Sequence, residues 1–150
     1  MAKVHKSAHT VTAHINKPAE ELFAYLTTAD NWPKWHQATA SVSGDVSHPA
    51  TEGETIVEVV RYGLGRDVFP WKVEECRAPN RWAIQAKSKR FGQVVRIEYT
   101  LTPEDGGTRW ERMMCFYFPQ WLAPLDKLIL SRLLRKNSEK AVGRLKKSLE

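Results

Sequence analysis

The sequence predicts helices and antiparallel strands segregated along the chain, and two observations carry that reading. Between residues 38 and 118 the apolar residues alternate with period two, cut at short intervals by turn signals, whereas after Pro119 the period is helical. Short links between consecutive strands fit an antiparallel meander and leave no room for the crossovers that parallel strands need. The predicted order is one strand, two short helices, six strands and a long C-terminal helix.

Each element has a local reason. AHTVTAHI, residues 8–15, is rich in β-branched residues and reads as the first strand. Asn16 is the expected cap and Pro18 the first residue of the helix PAEELFAYLTT, because proline's missing N–H is unpaired in a first turn anyway. Leu22, Phe23 and Leu26 form its buried stripe. A second helix opens at Asp30, and Pro33 limits it to about a turn or two. ETIVEVVRY, DVFPWKVEEC, RWAIQAKS, VVRIEYTL and TRWERMMCFYF read as strands. Gly63 with Gly65, Pro79-Asn80 and Phe91-Gly92 break them, and Glu104-Asp105-Gly106-Gly107 makes a hairpin turn. Pro70 inside its strand asks for an edge, a bulge or a bend. Trp121, Leu125, Leu128, Ile129, Leu133, Val142, Leu145 and Leu149 fall near one stripe of the final helix, and Leu130 and Leu134 widen it.

A chain of 150 residues is the length of one ordinary domain, spanning 1–150, with a single sizeable core. No apolar run of about 18 residues is present, which excludes a membrane-spanning helix. The start MAKVHKSAHTVTAH lacks the apolar block of a signal peptide, and two cysteines are too few for a disulfide framework. A cytoplasmic location is the expectation. Of the net charge of +6, residues 121–150 carry +5 and the rest of the chain +1. Such a segment is ordinarily the solvated face of an amphipathic helix; weak contact with an anionic membrane is a further partner expectation, and nucleic acid is not favoured.

Several chemistries have no signature. There is no HExxH and no cysteine–histidine grouping, so neither metal nor cofactor is expected. His5 and His9 are read as part of a mobile N-terminal segment. Cys76 and Cys115 fall in strands, where inert buried thiols are the commoner case. No serine occupies a nucleophile elbow, and Gly63 and Gly65 precede a strand rather than a phosphate-binding helix.

INKPAEELFAYLTTADNWPKWH, VEECRAPNRWAIQA and LTPEDGGTRWERMM, followed by the long final helix, resemble the START-like or Bet v 1-like (SRPBCC) superfamily of polyketide cyclase/dehydrase and lipid-transport type. The resemblance spans nearly the whole chain. It implies an α+β helix-grip fold, in which a curved antiparallel sheet of about seven strands wraps a long C-terminal helix around an apolar ligand cavity. It also places Trp32 and Trp35, from NWPKWH, at one end of that grip. Each indole buries up to about 200 Å². Packing alone accounts for Trp32, whereas Trp35 is a candidate cavity wall.

Strand alternation assigns the remaining candidates. One face carries Ile56, Glu58, Val60 and Tyr62; then Phe69, Trp71 and Val73; Trp82, Ile84 and Ala86; Val95, Ile97, Tyr99 and Leu101; and Trp110, Arg112, Met114 and Phe116. The other face is polar, with Lys72, Glu74, Arg96, Glu98, Arg109 and Glu111. Leu125 and Ile129 of the final helix complete the expected lining.

Glu58 and Arg112 interrupt the apolar face, and each requires a partner, water or ligand. Two readings stand: the pair satisfy each other or are solvated at the cavity mouth, or Arg112 anchors an acidic ligand with Tyr62 and Tyr99 adding hydroxyl contacts. The function favoured is binding of a small, largely apolar or amphipathic molecule such as a lipid, an aromatic polyketide-like compound or a quinone. The alternatives are a cyclase/dehydratase-type enzyme using Glu58 as base with Arg112 or a tyrosine, and a docking module acting through the basic helix.

Overall fold

The computed structural model describes residues 4–62, 65–122, 124 and 131–150. Strand β1, Val4–Ile15, is longer than its β-branched centre suggests, because it pairs with the last strand continuously from Val4↔Pro119 to Ile15↔Thr108. His5 and His9 therefore lie in a paired strand, not in a mobile leader.

Helix α1, Ala19–Thr27, begins without the expected Asn16 cap. Pro18 is the capping residue: its backbone is extended, at φ −59° and ψ 148°, and its carbonyl accepts from Leu22 N–H at 3.0 Å. The Asn16 backbone N–H instead donates to Glu150 Oε1 at 2.9 Å. A 3₁₀ turn, Ala29–Asn31, leads into α2, Trp32–Trp35, with Pro33 in its first turn where it costs no hydrogen bond.

The meander follows as β2 (Thr39–Gly44), β3 (Thr55–Tyr62), β4 (Gly65–Arg77), β5 (Arg81–Lys87), β6 (Val94–Glu104) and β7 (Gly107–Pro119). The seven strands form one curved antiparallel sheet in the order β1-β7-β6-β5-β4-β3-β2, so β1 and β2 are its edges. Asp105 and Gly106, at φ 46° and 76°, form the two-residue turn between β6 and β7. Positive φ at both positions matches the twist of the flanking strands, and glycine adopts it without strain.

Pro70 sits in an unbroken β3–β4 ladder opposite Val57, in the part of β4 that precedes its pairing with β5 from Lys72 onward. That one-sided position tolerates a missing N–H. The register shifts lie elsewhere, between Thr39 and Ser41 in β2 and between Val73 and Glu75 in β4. The apolar faces read from alternation consequently stay inward.

After Pro119 the chain makes a 3₁₀ turn, Gln120–Leu122, and Trp121 is 77% exposed. Its expected place on the buried helical stripe is wrong, because Trp121 belongs to that turn. The described part of the final helix is α3, Ser131–Leu149, which packs on β1 and α2. Ala141 and Leu145 are buried, with Val142 and Leu149 half-buried against the core. Leu22, Phe23 and Leu26 of α1 close the same core. On the opposite sheet face Arg96 meets Glu98 at 3.1 Å and Arg109 meets Glu111 at 3.0 Å. Such surface pairs add about 0–1 kcal/mol each and mainly keep that face wet.

Candidate ligand-binding site

The inward faces assemble an aromatic chain. Cross-strand pairing sets Trp82 opposite Tyr99 and Leu101 opposite Trp110, which brings large rings into register. Trp35 stands edge-on to Trp110 at 5.8 Å between ring centroids, Tyr99 edge-on to Trp110 at 5.4 Å, and Trp82 lies 5.4 Å from Tyr99. Trp32 continues the chain, 6.3 Å from Trp82. On β4, Phe69 and Trp71 stack at 5.5 Å.

The indole N–H groups divide these tryptophans by role. Trp32 Nε1 donates to Leu26 O at 2.9 Å and Trp82 Nε1 to Ala50 O at 2.9 Å, so Trp32 ties α2 to α1 and Trp82 ties the sheet to the loop before β3. Trp71 Nε1 donates to Glu58 Oε1 at 3.0 Å. Trp35 Nε1 and Trp110 Nε1 are buried with no acceptor among the described residues.

Glu58 is buried on β3, with its second oxygen 2.5 Å from the Thr39 hydroxyl. Burial pushes its pKa up, against the opposing pull of Thr39, Trp71 and Arg112. Thr39 Oγ1 also lies 2.8 Å from His36 Nδ1. An ionised Glu58 accepts from Thr39; a protonated Glu58 reverses that bond and frees the Thr39 hydrogen for His36. Burial, then Arg112 and Arg144, lowers the His36 pKa to about 3. With its pKa lowered to about 3, His36 makes its 3.9 Å approach to Glu58 as a neutral imidazole rather than as half of an ion pair.

Arg112 is 4% exposed. Its Nη1 donates to Met114 Sδ at 2.8 Å and to Ser138 Oγ of α3 at 3.2 Å, and its charge pulls the Tyr99 pKa down. Burial raises the Tyr99 pKa, which keeps that phenol neutral. Arg112 Nε has no acceptor among the described residues. Among the described residues Glu58 and Arg112 do not bond each other, so the expected mutual ion pair is not how either is satisfied.

Of the residues singled out from sequence, Trp35, Ile56, Glu58, Phe69, Trp71, Trp82, Ile84, Ile97, Tyr99, Trp110 and Arg112 are buried on this face, with Val60 and Met114 half-buried. Leu125, Ile129 and the Tyr62 side chain lie outside what the structure describes. Sequence reasoning missed Thr39, Ser138 and His9. Thr39 and Ser138 carry no signal before their neighbours are known. His9 was legible: His5, Ser7, His9, Val11, Ala13 and Ile15 continue one alternation, and His9 pairs with Met114.

Two other features lie apart from this face. An open, apolar groove of about 350 Å³ is lined by residues that include Phe23, Ala24, Pro49, Cys76 and Pro79. In the loop before β3, ligand atoms of Asp45, His48 and Glu54 come within 4.8 Å of one another. They are committed to local bonds: His48 Nε2 lies 2.7 Å from Glu54 Oε2, Thr51 donates to Glu54, and Thr55 N–H donates to Asp45.

The fold and this buried face are those of a helix-grip protein. Residues 6–150 match the family described as polyketide cyclase/dehydrase and lipid transport, and the chain belongs to it. No curated protein matches. Among solved structures, an uncharacterized protein from Rhizobium leguminosarum is similar at TM-score 0.74 and 14% identity, covering 99% of this chain and 97% of that one. The Aha1 dimer from Colwellia psychrerythraea is similar at TM-score 0.68 and 18% identity, covering 96% of each chain. Ara h 8.0201 is similar at TM-score 0.67 and 14% identity, covering 93% of this chain and 95% of that one. These likenesses establish the fold. Among the described residues no helix is long and apolar enough to cross a membrane.

Proposed function

We propose that the chain binds one small, largely apolar molecule, such as a lipid, an aromatic polyketide-like compound or a quinone, against the inner face of the sheet. The observation that carries this reading is the chain of rings from Trp35 through Trp110 and Tyr99 to Trp82, interrupted by a few polar groups. Sites for small molecules have this composition: mostly apolar walls with sparse polar groups that fix orientation. The family's description as a lipid-transport and cyclase group supports the class of ligand. The chain is read as one domain acting in the cytoplasm, which suits its two free cysteines. Exposed Arg135, Lys136, Lys140, Arg144 and Lys147 on α3 suit weak contact with an anionic membrane.

The test is titration with the neutral fluorophore N-phenyl-1-naphthylamine. Saturable binding at one site supports the reading; its absence removes it. A second reading, proton transfer in the same site, is favoured by the raised pKa of Glu58 and its link through Thr39 to His36. Turnover of aromatic polyketide substrates that Glu58→Gln abolishes would establish the enzyme.

A further inference from the structure

We infer that the ligand is an acid, and that its carboxylate is received by Arg112 while its apolar body lies along the rings of Trp110 and Trp35. This deepens the proposed function and rests on it.

Arg112 is the one buried basic residue among the described residues. Guanidinium stays charged at any relevant pH, so this interior always holds one positive charge. Its bonded partners are a thioether and a serine hydroxyl, both neutral, and the thioether is a weak acceptor. The buried acid on the same sheet face is Glu58, whose oxygens are bonded to Thr39 and Trp71 and not to Arg112. Burial raises its pKa, which weakens it further as a counter-ion. His36 is held neutral, and Arg144 of α3 adds positive potential from the helix side. A buried cation without an anion is costly, and an incoming monoanion cancels that cost.

The hydrogen-bond inventory points the same way. Among the described residues Arg112 Nε, Trp110 Nε1 and Trp35 Nε1 are all buried donors without acceptors. Trp110 precedes Arg112 by one inward step on β7, and Trp35 lies edge-on to Trp110. Unpaired buried donors are rare, and three in one neighbourhood ask for a group rich in lone pairs. A carboxylate offers about four acceptor positions in a plane that fits the guanidinium fork. A monoanion also matches the single charge of Arg112.

Displacement of N-phenyl-1-naphthylamine by 2-naphthoate and by its neutral methyl ester tests the inference. In the parent, naphthoate is expected to bind about 10- to 150-fold more tightly than the ester, the range for charge-assisted hydrogen bonds. Arg112→Met should erase that preference while leaving ester affinity equal or better, and Arg112→Lys should keep part of it. Equal displacement by acid and ester in the parent overturns the inference even if Arg112→Met fails to fold, and leaves the apolar-ligand reading standing. No binding of the fluorophore itself overturns both.

Discussion

Glu58 and Arg112 share one buried interior yet bond different partners: Glu58 is held by Thr39 and Trp71, Arg112 by Met114 and Ser138. Arg112 acts on Glu58 through space rather than through a bond: it pulls the Glu58 pKa down, while burial pushes it up and wins. The interior therefore holds a buried acid and a charged base on separate partners, not a closed salt bridge. That arrangement differs in its pH dependence from an ion pair.

Glu58→Gln is the first consequence. A folded pKa raised above the unfolded value gives stability that is fully present below the ordinary carboxylate value and is lost as pH rises through the folded one. Glutamine offers Trp71 a carbonyl and Thr39 an N–H without titrating. The mutant should melt at or above the parent's temperature at pH 8, with the gap closing at pH 4. Each kcal/mol corresponds to about 2–4 °C in a chain of this size. A mutant that loses more stability at pH 8 than at pH 4 would mean that ionised Glu58 supports the fold.

His36 has the opposite sign. Its pKa is lowered to about 3, so its contribution is present above its ordinary value of 6.5 and is lost as pH falls toward 3. The groups facing it are Thr39, Glu58, Arg112 and Arg144. Ring nitrogen NMR should show a neutral imidazole at pH 5, and an imidazolium there would contradict the geometry. Thr39→Val should cost roughly 1–3 kcal/mol, because it deprives both His36 and Glu58 of a buried partner.

Trp32 and Trp35 should separate by assay. Trp32→Ala removes a packed indole and orphans the Leu26 carbonyl, an expected loss of about 3–5 kcal/mol. Trp35→Ala breaks no side-chain hydrogen bond among the described residues, where Trp35 Nε1 has no acceptor. It should lower stability less and weaken N-phenyl-1-naphthylamine binding more than Trp32→Ala does. Equal melting losses with unchanged probe affinity would make both tryptophans packing residues.

The strand faces were legible in the sequence because a pleated strand leaves no freedom once one face is apolar: Ile84, Ile97, Tyr99 and Trp110 needed only period two. The turn at Asp105-Gly106 was legible for the same kind of reason, a backbone geometry that few residues tolerate. Asn16 misled because capping depends on the backbone entering the helix, and Pro18 occupies that position. Trp121 misled because an apolar residue near a helix looks like part of its stripe until the turn is seen. The Thr39 and Ser138 contacts were hidden for a different reason. They join residues 19 and 26 positions apart, and a lone hydroxyl has no periodicity to reveal it.

Intermolecular contacts between N-phenyl-1-naphthylamine and methyl groups, read by NMR on methyl-labelled protein, test the central claim most directly. The account predicts contacts from the bound probe to the methyls of Ile84, Ile97 and Met114, on the face that carries Tyr99 and Arg112. Contacts confined to Ala24 and Ala78 would place the probe in the open groove beside α1 and contradict the assignment of the inner face as the binding site.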